Sequence, residues 1–145
     1  MKWHQKILFL LSLRVLFCSC SIEQTKPYQN NSLVYKQINY LALGDSYTIG
    51  QSVCTTCRFP EQLKARLQTV YPNNPFLLQV IAKTGWTTTN LISEINLVNP
   101  ATNFDLVTLL IGVNNQYQRK PFSLYEQEFP LLIEKAIMLA KGDKT

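Results

Sequence analysis

Among its 145 residues the chain has one histidine, His4, and that one stands in a leader-like segment. Four cysteines are present, and only Cys54 and Cys57 lie away from the N-terminus. A zinc site built on them would need a second CxxC or a histidine pair, and neither is there. The sequence has no run of Lys and Arg interleaved with aromatics, so its net charge of +5 gives no nucleic-acid footprint. It has no internal repeat and no low-complexity tract, which excludes solenoids and arrays. No apolar stretch is long enough for a confident membrane span. The phosphate-cradling glycine spacings are also missing, so the Gly44–Gly50 loop makes a poor nucleotide site.

The N-terminus has its own pattern. Lys2 and Lys6 precede an apolar run, "ILFLLSLRVLF", at 7–17, broken once by Arg14. "CSCS" follows, with Ser19 directly before Cys20 and Phe17 at the third position back. A charged start, a short apolar core and small residues at its end read as a secretory signal over 1–20, of the lipoprotein type, with Cys20 the lipidated residue. An ordinary hydrophobic helix, as anchor or core, is the plain alternative. Cleavage before Cys20 would remove His4 and three of the positive charges. Residues 21–35 are polar without period and read as a tether. The expected location is therefore outside the cytoplasm, as a periplasmic or outer-membrane lipoprotein of a bacterium. In such an oxidising place Cys54 and Cys57 are either a loop-pinning disulfide or two idle thiols. A redox motif wants its first cysteine at a helix N-terminus, whereas here the helix begins only near Pro60.

From residue 36 onward strand-like and helix-like segments alternate. "INYLALG" is an apolar run ending in glycine. "FPEQLKARLQTVY" puts Leu63, Leu67 and Val70 on one helical face, with Pro60 in the first turn. "NPFLLQVIA" is a second strand, and "TTTNLISEINLV" a helix capped by Thr87 or Thr88. "FDLVTLLIG" reads as the strongest strand. "SLYEQEFPLLIEKAIMLAKG" is a helix opened by Ser123 and Glu126 in capping-box spacing, kinked or split at Pro130 and ended at Gly142. Strand–helix three times over argues for an α/β fold, a parallel sheet with helices on both faces. The pattern stops where a fourth strand is expected. The sheet is thus read as incomplete at the C-terminus, with 106–111 as a candidate open edge.

Ligands of open parallel sheets bind beyond the carboxyl ends of the strands. Those ends carry Gly44-Asp45-Ser46, then Gly85 in "AKTGW", then Gly112 with Asn114 and Asn115 in "GVNNQY". Each alone is an ordinary turn or cap. Together, in order, they suit acyl transfer. A serine exposed on a tight turn is a nucleophile in need of a base. The backbone N–H groups of Ser46 and Gly85 and the side-chain amide of Asn114 are three donors for an oxyanion.

"YLALGDSYTIG", "AKTGWTT" and "LVTLLIGVNNQY" resemble the first three conserved blocks of the SGNH hydrolases, also called the GDSL esterase/lipase family, over about residues 38–140. The resemblance implies a three-layer flavodoxin-like fold and hydrolysis of carboxylic esters, from lipids to acetylated sugars, without cofactor or metal. It implies Ser46 as nucleophile and oxyanion donor, with Gly85 and Asn114 as the other donors. Asp45 has no triad role in it and shapes the turn. Asp45, Trp86, Asn115 and Tyr117 are read as further binding residues, and Tyr47 as another aromatic of the crevice. The family's base is a histidine in an Asp-x-x-His block near the C-terminus, which this sequence does not have. Residues 36–145 are accordingly read as the N-terminal part of such a domain, inactive or nearly so alone. The expected partners are a small-molecule, lipid or acetylated-sugar ester and, through the anchor, a membrane. A non-catalytic lipoprotein that uses the crevice only to bind is the competing reading.

Overall fold

A computed structural model describes residues 35–142. The leader at 1–20, Cys20 and almost all of the tether lie outside the described residues. The chain divides between Ser32 and Leu33, and all described residues belong to the second unit.

Three parallel strands, β1 (Ile38–Gly44), β2 (Phe76–Ala82) and β3 (Leu106–Leu110), form one sheet in the order β2-β1-β3. The helices are α1 (Ser46–Ile49), α2 (Phe59–Val70), α3 (Thr88–Val98), α4 (Val113–Tyr117) and α5 (Phe122–Leu139). The strand order dictates the layers. From β1 the chain steps one way to β2, then back across β1 to β3. Right-handed crossovers in opposite directions put their helices on opposite faces. So α2 lies on one face, and α3 and α5 on the other. The expected α/β architecture is present, with three strands among the described residues.

The register Leu41↔Val107 and Leu43↔Ile81 and Leu109 sets one apolar face. Leu41 and Leu43 are fully buried there against Leu91 and Ile95 of α3 and Leu132 and Leu139 of α5. Thr87 caps α3, with Asn90 Oδ1 accepting from the Thr87 N–H at 3.0 Å. The other face is less covered. Leu63 and Leu67 of α2 are half-buried, but Val70, expected beside them, is exposed. A mainly apolar concavity of about 450 Å³ remains between Leu67 and Tyr71 and the strand starts Ile38, Phe76 and Leu106.

Other expectations are revised. β3, read as the strongest strand, is the shortest of the three, whereas its place at an edge of the sheet, with Leu110 exposed, is as expected for 106–111. The Ser123–Glu126 capping box does not form, because α5 already starts at Phe122 with Pro121 as its N-cap and Ser123 inside the first turn. Pro130 does not split α5, which runs unbroken to Leu139. Pro130 and Glu126 are both exposed, so the carbonyl that Pro130 leaves unpaired faces water. The Gly142 N–H bonds Ile137 O at 2.8 Å, closing the helix as expected of that glycine. Cys54 and Cys57 form a disulfide around a short 3₁₀ turn, Thr55–Cys57.

At the N-terminal edge of the sheet Asp105 acts as a bolt. Its Oδ2 accepts the Asn39 N–H at 2.9 Å, its Oδ1 pairs with Lys36 at 2.9 Å, and Lys141 joins the same oxygen. Burial alone would raise its pKa. The Lys141, Asn39 and Lys36 contacts outweigh burial and hold the carboxyl well below the usual carboxylate range. A depressed carboxylate contributes stability that is complete above its unfolded pKa, about 4, and is lost as pH falls through the folded value. Asp105→Asn should cost about 1–2 kcal/mol at neutral pH, read by urea denaturation, with a smaller loss of stability on acidification than the parent. Equal acid sensitivity in both proteins would contradict the bolt.

Candidate active site

β1 ends in Gly44 because nothing larger fits. A Cβ there would run into Leu110 O of β3 and the Thr48 side chain. The chain then turns sharply into α1. Asp45 is the N-cap, its carboxylate accepting the Tyr47 N–H at 3.0 Å. This short cap points the first helical residue, Ser46, out of the strand end. Ser46 is half-exposed, between the buried Asp45 and the exposed Tyr47. Among the described residues nothing accepts from or donates to its hydroxyl, and its backbone N–H has no protein acceptor.

β2 delivers the second element. Gly85 sits at φ 83°, a left-handed conformation that favours glycine, and the space around its α-carbon is open. Its N–H has no acceptor among the described residues, while its carbonyl accepts from Gln118 Nε2 at 2.8 Å. β3 delivers the third. Asn114 lies in the first turn of α4, not in a loop. Its Nδ2 donates to Trp86 O at 2.9 Å, and Asp45 Oδ2 lies at 3.5 Å, a long and weak contact. Ser46, Gly85 and Asn114 thus stand at the ends of three adjacent strands. Hydrogen bonds tie α4 both to the serine turn and to the Gly85 loop.

The further residues are distributed differently from a common lining. Asp45 and Asn115 are 1% and 4% exposed, and their polar atoms are engaged within the protein. Burial pushes the Asp45 carboxyl up, opposed by the Tyr47 N–H. Trp86 is half-buried and packs on the core, and Tyr117 is exposed. A concavity of about 240 Å³ beside the serine turn is lined by Asp45, Tyr47, Leu110, Ile111 and Val113. A larger one, about 630 Å³, lies beyond α4 and does not reach Ser46. It shares Ile111 and Val113 with the first and continues to Phe122 and Tyr125. The sequence reading missed α1, α4 and the role of Glu128, which accepts from the hydroxyls of Thr88 and Thr89. A four- or five-residue helix carries too little periodicity to detect.

Known proteins share this family pattern and this fold. Residues 42–143 match the GDSL-like lipase/acylhydrolase family. Among solved structures the fold resembles AlinE4, an SGNH-hydrolase family esterase, with TM-score 0.57 and 20% identity over 68% of this chain and 52% of that one. It resembles TesA with TM-score 0.60 and 17% identity, over 70% and 56% respectively. It also resembles the lipase Lip_vut3 from a goat rumen metagenome, with TM-score 0.58 and 22% identity, over 75% and 60%. The chain therefore spans just over half the length of these structures. No curated protein matches it.

The crowding at Gly44 predicts a steric effect without backbone strain, since the glycine is in a regular strand. Gly44→Ala should destabilise the protein by about 3 kcal/mol in denaturant, because a backbone carbonyl stands in the way. A change within about 0.5 kcal/mol, the size of an ordinary surface substitution, would show that β1 and β3 are not closely apposed there.

Proposed function

The chain belongs to the GDSL-like lipase/acylhydrolase family, the SGNH hydrolases, and from that premise we propose that it carries the nucleophile and the oxyanion donors of a serine ester hydrolase. The reading rests above all on one observation: the unengaged N–H groups of Ser46 and Gly85 stand at neighbouring strand ends with the Asn114 amide. In this reading Ser46 Oγ attacks the ester carbonyl carbon and loses its proton to a base. The carbonyl oxygen takes the negative charge and is held by the two backbone N–H groups and Asn114 Nδ2. Collapse expels the alcohol, which takes up a proton, and leaves an acyl-serine. Water then attacks the acyl-serine, releasing the carboxylic acid and restoring the hydroxyl.

The base is the part these residues do not supply. The sole histidine, His4, is in the leader-like segment, and no described side chain bonds Ser46 Oγ. We therefore propose that the 145 residues alone turn esters over poorly. The substrate class is a carboxylic ester, lipid or acetylated sugar among them, with Tyr47 the aromatic that lines the concavity beside the serine turn.

Imidazole added to solution can stand in for the base. With p-nitrophenyl acetate, the chain should show an imidazole-dependent rate above the imidazole blank. Ser46→Ala should abolish that excess, and Asn114→Ala should lower it by about 100-fold. An excess unchanged in Ser46→Ala would end the nucleophile assignment. Saturable ester binding with no Ser46-dependent turnover would favour the binding-only reading.

We also propose that the protein is exported and lipid-anchored through Cys20. The charged start, apolar core and "CSCS" support this, and a Cys54–Cys57 disulfide suits an oxidising compartment. Expressed in a bacterium, the protein should incorporate labelled fatty acid and partition with membranes, and Cys20→Ser should abolish the label. Retention of label in that variant would refute Cys20 as the site.

A further inference from the structure

We propose that Asn115, Thr88 and Glu128 form a hydrogen-bond relay of fixed direction, and that Asn115 is a positioning residue setting the Gly85 loop against Asn114. The inference rests on the reading of Ser46, Gly85 and Asn114 as an acyl-transfer site.

The direction follows from one backbone group. The Thr88 N–H meets the Asn115 side chain at 3.0 Å. A backbone N–H only donates, so the amide oxygen must face it and Nδ2 must face the other way. Nδ2 then donates to Thr88 Oγ1 at 2.7 Å. The Thr88 hydroxyl proton is left free, and it goes to the Glu128 carboxylate on α5. Glu128 also accepts the Thr89 hydroxyl at 2.7 Å. Its negative charge thus faces the first turn of α3, the end of a helix that favours anions. Thr88 is fully buried and Asn115 nearly so. In such a place each mismatched donor or acceptor is costly, and a satisfied network specifies one geometry.

The relay acts on the site through neighbours. Asn115 follows Asn114, and Thr88 follows Gly85 by three residues. Asn114 Nδ2 bonds Trp86 O, and Gln118 Nε2 bonds Gly85 O. Those two links are partly exposed. The two bonds of Asn115 to Thr88 are the buried ones, so they set how closely α4 approaches the loop. A donor misplaced by about 1 Å costs on the order of 100-fold in rate.

Direction makes the proposal testable by charge-neutral exchange of donor and acceptor. Asn115→Asp places an acceptor where Thr88 Oγ1 needs a donor, so two carboxylates then compete for one hydroxyl proton. Glu128→Gln alone is mild, since its amide oxygen still accepts from Thr88. Combined, the two changes reverse the relay: the glutamine amide donates to Thr88 Oγ1, whose proton goes to the new aspartate.

The experiment measures the two single variants and the double variant in the full chain, by denaturant midpoint and by kcat and KM of the imidazole-assisted hydrolysis of p-nitrophenyl acetate. Asn115→Asp should lower both the midpoint and kcat, the latter about tenfold or more, with KM little changed. The double variant should recover both, to within about threefold of Glu128→Gln in kcat. Additive losses in the double variant would overturn the relay. Recovery of the midpoint without kcat would overturn the positioning role. If the imidazole-assisted rate does not depend on Ser46, the acyl-transfer reading fails instead, and the midpoints alone still decide whether the relay has this direction.

Discussion

The site depends on how closely the end of β1 lies against the end of β3. At Gly44 the two backbones approach so tightly that Leu110 O and the Thr48 side chain occupy the room of a Cβ. That approach sets the distance between the serine turn beyond β1 and the short helix beyond β3. Asp45 can then reach both the Tyr47 N–H of its own turn and the amide of Asn114, 69 residues away. The order β2-β1-β3 does the rest, since a central β1 has the loops of β2 and β3 on either side of its serine. This is the position at which an open α/β sheet reverses its winding and leaves a crevice.

The two ends of the sheet are held by different chemistry. At the strand starts a carboxylate, Asp105, is surrounded by two lysines and a backbone N–H. At the strand ends the ties around the serine are mostly amides and hydroxyls: Asn114 to Trp86 O, Asn115 to Thr88, Gln118 to Gly85 O. For the acyl transfer proposed there, neutral groups suit that end. A lysine there would hold an anion in the ground state, whereas fixed N–H dipoles act most on charge that develops during reaction. The one carboxylate next to the serine, Asp45, is buried and capped, with its pKa raised by that burial. In contrast to Asp105, it favours the native state less as pH rises through its folded value.

Legibility in the sequence tracks the distance along the chain between interacting residues. Strand–helix alternation, the Thr87 cap and the glycines at the strand ends are local patterns, and they locate Ser46, Gly85 and Asn114 on the correct elements or next to them. Features made by distant residues are not legible. Thr88 and Asn115 are 27 apart, and Thr88 and Glu128 are 40 apart. Nothing local marks Glu128 as other than a surface helix residue. Asn115 and Asp45 read as binding residues, yet both are almost wholly buried, with their polar atoms engaged inside the protein. Ser123 misleads for a local reason. The Ser123 spacing fits a cap, but Pro121 already fixes the helix start. Pro130 lies with Glu126 on the exposed side of α5, so the carbonyl it leaves unpaired can reach water and the helix continues.

If Ser46, Gly85 and Asn114 serve acyl transfer as proposed, energetics explain why oxyanion donors without a base remain chemically meaningful. In acyl transfer each donor lowers the barrier by about 3–4 kcal/mol, and donors with binding alone retain roughly 10³–10⁴ over water when a triad is broken. These contributions come from two backbone N–H groups and one side-chain amide held by the fold, so they do not depend on where the proton of the serine goes. The base removes a proton, and any amine of suitable pKa within reach can do that, less efficiently for being unplaced. The two functions are therefore separable in a way that the three donors are not. Ser46, Gly85 and Asn114 come from three strands, and their mutual distances are set by Gly44 and by the α4 links. Anything that loosens one of those links acts on the donors together.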